Sequence, residues 1–280
     1  MNKTVQWIMK QNRDVIVVSL LSLALMACDS KKPEAPEKAD VKPPEVAVEK
    51  ADVLPYLNIQ EQPGKIALPF CERKNCIDID IQTLNTVDPW MNTWIAKQQA
   101  LVIQDQIGLK QDMTLQQAVN AFVKKSDAWQ AELKINKAYT LSLYTRIPYQ
   151  RNEFVLMQIG VDTEQEGISV KDRYYFYVAD RRSQKNLKIL DVINSKQQVN
   201  MDNIVQDAYK KWLKDNTKDV QQQAPQKLYW GQADWFFDQQ GIGLHYRGDE
   251  IVKEAKQLDI YLSKEQTQQV LKADVYQHMF

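Results

Sequence analysis

The chain is poor in the residues that carry most enzyme chemistry. It has two histidines, three cysteines and eight glycines among 280 residues. His245, His278, Cys28, Cys71 and Cys76 do not fall at the spacings of a zinc site, so no metal and no cofactor is implied. The glycines form no phosphate-cradling loop. There is no Gly-x-Ser-x-Gly elbow and no His-Glu-x-x-His pair. An excess of charge is also missing, with 36 basic residues against 36 acidic ones. Without residues 1–27 the balance is 33 to 35. That balance argues against a nucleic-acid partner, which calls for a basic face. Finally, the apolar run from Val15 to Ala27 is roughly 13 residues, short of the ~20 that span a bilayer.

What is present begins with that run. Lys3, Lys10 and Arg13 precede it, and Leu25-Met26-Ala27-Cys28 closes it. A basic start, a short apolar segment and small residues before a cut site describe a secretory signal peptide. The closing four residues resemble the bacterial lipobox. This implies a signal peptide over 1–27, a lipid on Cys28 and a lipid bilayer as the first partner. The expected location is the bacterial cell envelope, on the inner or outer membrane, with the domain most naturally periplasmic. Cys28 thereby accounts for the odd thiol. Cys71 and Cys76 flank four residues, and an oxidising compartment favours their pairing as a disulfide. Lying between "KIALPF" and "IDIDI", they suggest a bridge across the neck of a hairpin.

Residues 28–53 hold Pro33, Pro36, Pro43 and Pro44 among Lys, Glu, Asp, Ala and Val, without aromatics. Such a segment buries too little apolar surface to offset its ordering entropy and reads as a disordered tether. Fully extended, it reaches ~70 Å at most. Residues 54–280 form the globular part, with subdomains expected at about 54–147 and 148–280.

Within it, Lys65–Phe70 and Ile77–Thr83 read as strands. Asp88-Pro89 starts a helix to about Gln106, with Trp90, Trp94, Ile95, Leu101 and Val102 inward. Thr114 and Gln117 form a capping box before a second helix that buries Ala118, Phe122 and Val123. Strand patterns follow at Trp129–Ile135, Tyr139–Arg146, Phe154–Val161 and Arg173–Ala179. A helix is expected over Met201–Asp215, a hairpin over "DWFFD" and "GIGLHY", and a strand over Leu258–Leu262. A capped terminal helix begins after Ser263. Helices do not alternate with strands. The fold class is therefore α+β, with a curved, mainly antiparallel sheet and packed helices.

Chemistry is sparse. Asp78 and Asp80 share a strand face, as solvated strand pairs commonly do. His245 reads as a half-exposed strand residue and His278 as a tail residue. "DRYYFYVADRR" alternates Tyr174 and Phe176 with Tyr175 and Tyr177. One such face packs in a core and the other lies under a helix or a partner.

Two stretches carry a family resemblance. In "YYFYVADRRSQKNLKILDVI" the matching positions are Asp180, Lys185, Leu187, Ile189, Asp191 and Ile193. In "WFFDQQGIGLHYRGDEI" they are Phe236, Gly241, Leu244, Tyr246, Glu250 and Ile251, while "TVDPWMNTWI" contributes Asn92. The chain from Cys71 to Val270 resembles the RsiV-like extracytoplasmic domain family, which includes the sensor part of a lysozyme-binding anti-sigma factor. The resemblance implies an α+β domain with two subdomains and a protein or cell-wall glycan ligand. Where the lysozyme-binding member continues with Ala-Pro-Tyr, this chain has Val252-Lys253-Glu254. The loop Arg247–Glu254 and Tyr246 are expected to form a ligand surface, with Tyr246, Arg247, Asp249, Glu250 and Lys253 as its residues. Its charges point to salt-sensitive binding of a partner other than lysozyme, or to weaker binding of lysozyme. The expected function is a non-enzymatic, membrane-anchored ligand-binding lipoprotein of the envelope. The alternatives are a cell-wall hydrolase or deacetylase, an accessory of one, or a structural envelope-assembly protein.

Overall fold

The computed structural model describes residues 54–71, 76–253 and 255–280. The segments expected to be a signal peptide and a tether, with Cys28, lie outside them. The elements in chain order begin with β1 (Gln60–Pro63), β2 (Asp78–Asn85), α1 (Pro89–Gln106) and α2 (Leu115–Leu133). Next come β3 (Thr140–Arg151), β4 (Phe154–Gln165), β5 (Ile168–Asp180) and β6 (Lys185–Leu187). They are followed by α3 (Ile189–Val192), α4 (Gln198–Lys214), α5 (Lys218–Gln223), β7 (Asp234–Phe237) and β8 (Ile242–Tyr246). The chain ends with α6 (Gly248–Ile251), β9 (Leu258–Tyr261), α7 (Lys264–Val270) and α8 (Ala273–Met279).

The α+β class is observed. β1 to β6 form one sheet in sequence order, and β7 to β9 form a second, smaller one. Every pairing is antiparallel except β2 with β3. A parallel pair needs a crossover, and α1 with α2 supplies it. Both helices start where their side chains dictate. Asp88 accepts from the Trp90 and Met91 N–H groups ahead of Pro89, and Thr114 with Gln117 closes a capping box.

Two cores lie on opposite faces of the large sheet. On the inner face, Ile81, Leu143, Ile159, Val161 and Tyr175 pack against Met91, Trp94 and Ile95 of α1 and Phe122 of α2. On the outer face, Phe154, Leu156 and Val178 pack with Val205 and Trp212 of α4 and with Trp235 and Leu244 of the small sheet. β4 is therefore packed by a core on each face from Phe154 to Met157, while further along its outer face Gln158 and Gly160 are covered by the Arg146 and Tyr144 side chains of β3. β3 runs through residue 147, with a shift in its register to β4 between Arg146 and Tyr149.

Several local expectations change. Lys65–Phe70 is not a strand: the Gln116 side-chain amide holds the Ala67 N–H and C=O at 2.9 Å each, and Gln60–Pro63 pairs with β2 instead. The Cys71–Cys76 disulfide is formed, but it joins the end of this irregular segment to the residues just ahead of β2 and does not cross a hairpin neck. Trp129–Leu133 continues α2, because the Ala, Glu and Leu there favour helix and Lys134 ends it in the left-handed region at φ 52°. Leu101 of α1 is exposed and Trp90 half-buried, while Trp94, Ile95 and Val102 are buried as expected.

Candidate functional site

The loop after β8 turns inward. Tyr246 is fully buried, and its hydroxyl donates to the Tyr229 carbonyl at 3.3 Å. Arg247 reaches across to β5. Its guanidinium donates to Asp234 Oδ2 at 2.6 Å, to the Tyr174 carbonyl at 3.3 Å and to Glu250, and sits 4.1 Å from the centre of the Tyr175 ring. Asp234 Oδ2 also accepts the Phe176 N–H at 3.2 Å. β6 pairs with β5 only from Val178 to Asp180. The Asp234–Arg247 pair thus satisfies one N–H and one C=O of the β5 edge that β6 leaves open, where a bare edge would invite strand addition.

A second arginine extends the junction to α1. Arg173 pairs with Asp249 of α6 and lies 3.8 Å from Asp105. The Tyr175 hydroxyl donates to Asp105 at 2.6 Å and accepts from Gln106 at 2.8 Å. β5, α1 and α6 are joined through these four side chains and Arg173. Burial disfavours charge on Arg247, but Asp234 and Glu250 more than offset it and its pKa rises. Burial lifts the Glu250 carboxyl above the ordinary glutamate range despite the guanidinium beside it. Burial also raises the Tyr175 phenol, which stays protonated as a donor to Asp105. Among the described residues, Arg173 Nε and Arg247 Nε are buried without a hydrogen-bond partner.

Beside Arg173 a cleft of about 300 Å³ opens between the C-terminal end of α1, α2 and the β4–β5 hairpin. Gln106, Ile107, Lys125, Glu166 and Ile168 line it with Arg173. Its volume is at the small end of ligand pockets.

The structure brings Arg247, Asp249 and Glu250 together, each committed to an ion pair. Tyr246 lies in the core, and Lys253 is exposed. His245 is not half-exposed. It is 1% exposed because Phe176 of β5 covers its face, with ring centroids 5.0 Å apart. Its Nδ1 is 2.6 Å from Asp259, and its Nε2 has no partner among the described residues. His278 is more than a tail residue, for its Nδ1 meets the buried Glu153 at 2.7 Å. Asp78 and Asp80 are exposed on the outer face of β2, and Asp80 accepts from Gln82 at 2.9 Å. Among the described residues no group of three or more His, Cys, Asp and Glu is placed to hold a metal ion. No helix among them is long and apolar enough to cross a membrane.

Sequence reasoning missed Asp105, Arg173 and Asp234. Asp234 had a signal, since hairpin register sets it opposite His245. Asp105 had none, because its partners lie far away in sequence.

No family model and no curated protein matches the chain. Solved structures do. One is the crystal structure of a DUF3298 family protein from Pseudomonas aeruginosa PAO1, with 15% identity over 79% of this chain and 97% of that one and a TM-score of 0.56. Another is a member of the DUF3298 family from Bacteroides fragilis NCTC 9343, with 13% identity over 80% of this chain and 97% of that one and a TM-score of 0.53. The chain shares its fold with these DUF3298 proteins.

Proposed function

We propose that the protein is an envelope lipoprotein, anchored through Cys28, whose domain binds a ligand and performs no chemistry on it. The lipobox and the short apolar run support the anchor. A single observation carries the binding reading. Arg173, Arg247, Asp105, Asp234, Asp249 and Glu250 pair with one another around Tyr175 and lock the small sheet and α1 to β5. Groups held in this way give a preorganised surface, which favours affinity. Catalytic acids and bases need the opposite, a group left able to exchange a proton with substrate.

The ligand is a protein or a cell-wall glycan. The RsiV-like resemblance supports the first, and the fold shared with DUF3298 proteins is compatible with both. Lys253 and the exposed half of Asp249 are the parts of the loop left to meet it. Two measurements test the proposal. Cys28→Ala should abolish fatty-acid labelling and move the protein out of the membrane fraction; a variant that stays labelled contradicts the anchor. The purified full chain should capture a component of envelope extract or sediment with purified peptidoglycan. Failure to do either contradicts the binding reading.

A further inference from the structure

We propose that the part of the large sheet's outer face that α4 and the small sheet leave uncovered is a glycan-binding surface, suited to a chain of amino sugars with free amines. This deepens the ligand-binding reading and rests on it. The surface is set by strand register. Asp80, Ser142 and Asp162 form one cross-strand row, and Gln82, Tyr144, Gly160 and Tyr174 form the next. Arg146 and Gln158 follow, and Phe176 ends that row under the small sheet. The opposite face of the same strands is the buried one, with Ile81, Leu143 and Val161. Asp80, Gln82, Ser142 and Arg146 are exposed.

Gly160 is what makes the surface flat. A Cβ there would lie 2.2 Å from Tyr144 Cζ, so the Tyr144 ring lies across the glycine and not beside a side chain. The Tyr174 phenol, next to Tyr144 along the row, donates to Asp172 at 3.1 Å. Asp172 is fixed in turn, its N–H donating to Asp162 at 2.7 Å. Both tyrosines remain partly exposed. Two phenols thus lie along one row of the sheet, with planar polar groups on either side, Arg146 bonded to Gln158 at 2.6 Å and Gln82 to Asp80.

This set of groups identifies the occupant. The flat C–H face of a sugar ring packs on an aromatic face, and its hydroxyls meet carboxylate, amide and guanidinium edges. Asp80, Asp162 and Asp172 outnumber Arg146, which favours a positively charged ligand. An ammonium placed over a tyrosine face adds a cation–π attraction. Strand spacing makes the β2–β5 surface about 14 Å wide, enough for an oligosaccharide.

The test is calorimetry of the full chain in detergent with a chitosan hexasaccharide, its fully N-acetylated counterpart and pentalysine. Chitosan should bind, weaken between about 50 and about 300 mM salt, and outcompete both other probes. The Asp80→Asn/Asp172→Asn double variant, confined to exposed carboxylates, should bind about tenfold more weakly. Tyr144→Ala should lose binding, and Asp219→Asn on α5 should match the wild type. The proposal is overturned if chitosan does not bind, if pentalysine binds as tightly, or if the double variant stays within about twofold of the wild type. If the full chain still captures an envelope component in any of these cases, the platform fails while the ligand-binding reading stands.

Discussion

The large and small sheets each lay an aromatic ring across a glycine of the neighbouring strand, yet the two rings meet different neighbours. Tyr144 lies over Gly160 with its row open to solvent. Phe236 lies over Gly243, partly buried, with the Phe176 ring at 5.1 Å and the Tyr261 ring at 5.3 Å against it. In the small sheet the device serves packing, because Phe176 on β5 is one of the contacts through which the two sheets meet. In the large sheet nothing among the described residues stacks on the ring. One packing solution therefore builds an interface in one place and an accessible platform in the other. The Arg247 junction lies between them and fixes where the covered part of β5 ends.

The largest expected effect comes from cutting that junction. Arg247→Ala leaves Asp234 and Glu250 without their shared cation and bares the β5 edge. It should cost about 3–5 kcal/mol in urea unfolding, as breaking one side of a buried pair does. Gly243→Ala follows. Its Cβ would lie 2.1 Å from Phe236 Cζ, and the ring is hemmed in, so overpacking should cost about 2–3 kcal/mol. Gly160→Ala meets Tyr144 as closely, but that ring can swing into solvent. Its cost should be about 1 kcal/mol, while chitosan binding falls with the lost platform. Equal destabilisation by the two glycine variants would break the comparison.

The smallest effect is one of pH. Burial holds Glu250 above its ordinary value of 4.5 in the folded protein. The folded state then binds the proton more tightly than the unfolded chain. The contribution from Glu250 is fully present below 4.5 and is lost as pH rises through the raised value. Glu250→Gln should flatten this part of the stability–pH curve, measured by denaturant midpoints between about pH 4 and 7. An unchanged slope would mean that Arg247 dominates the Glu250 environment.

Much of this architecture was legible because it is local. The Asp88, Thr114 and Ser263 caps mark helix starts within three or four residues, and all three were recoverable. The β7–β8 hairpin and the alternation of Tyr174 to Tyr177 follow from period two. Two of the residues that carried the family resemblance turn out to fix turns. Asn92 ties the Thr86 N–H and C=O at 2.8 Å each, and Asp180 accepts from Arg182 and Ser183. They point to the fold more than to a site. The segment Lys65–Phe70 misled because an apolar run next to a cysteine looks like a strand, while the Gln116 side chain takes its backbone groups. The junction was illegible for a different reason. Arg173 meets Asp249 and Asp105, and His245 meets Phe176, across sequence distances that no local pattern spans.

Hydrogen exchange of the full chain, with and without the chitosan hexasaccharide, tests the central claim most directly. The account predicts slowed exchange over Asp80–Gln82, Ser142–Arg146, Gln158–Asp162 and Asp172–Tyr174, with Ile242–Tyr261 unchanged. Protection confined to the small sheet, or spread evenly over both, would contradict it.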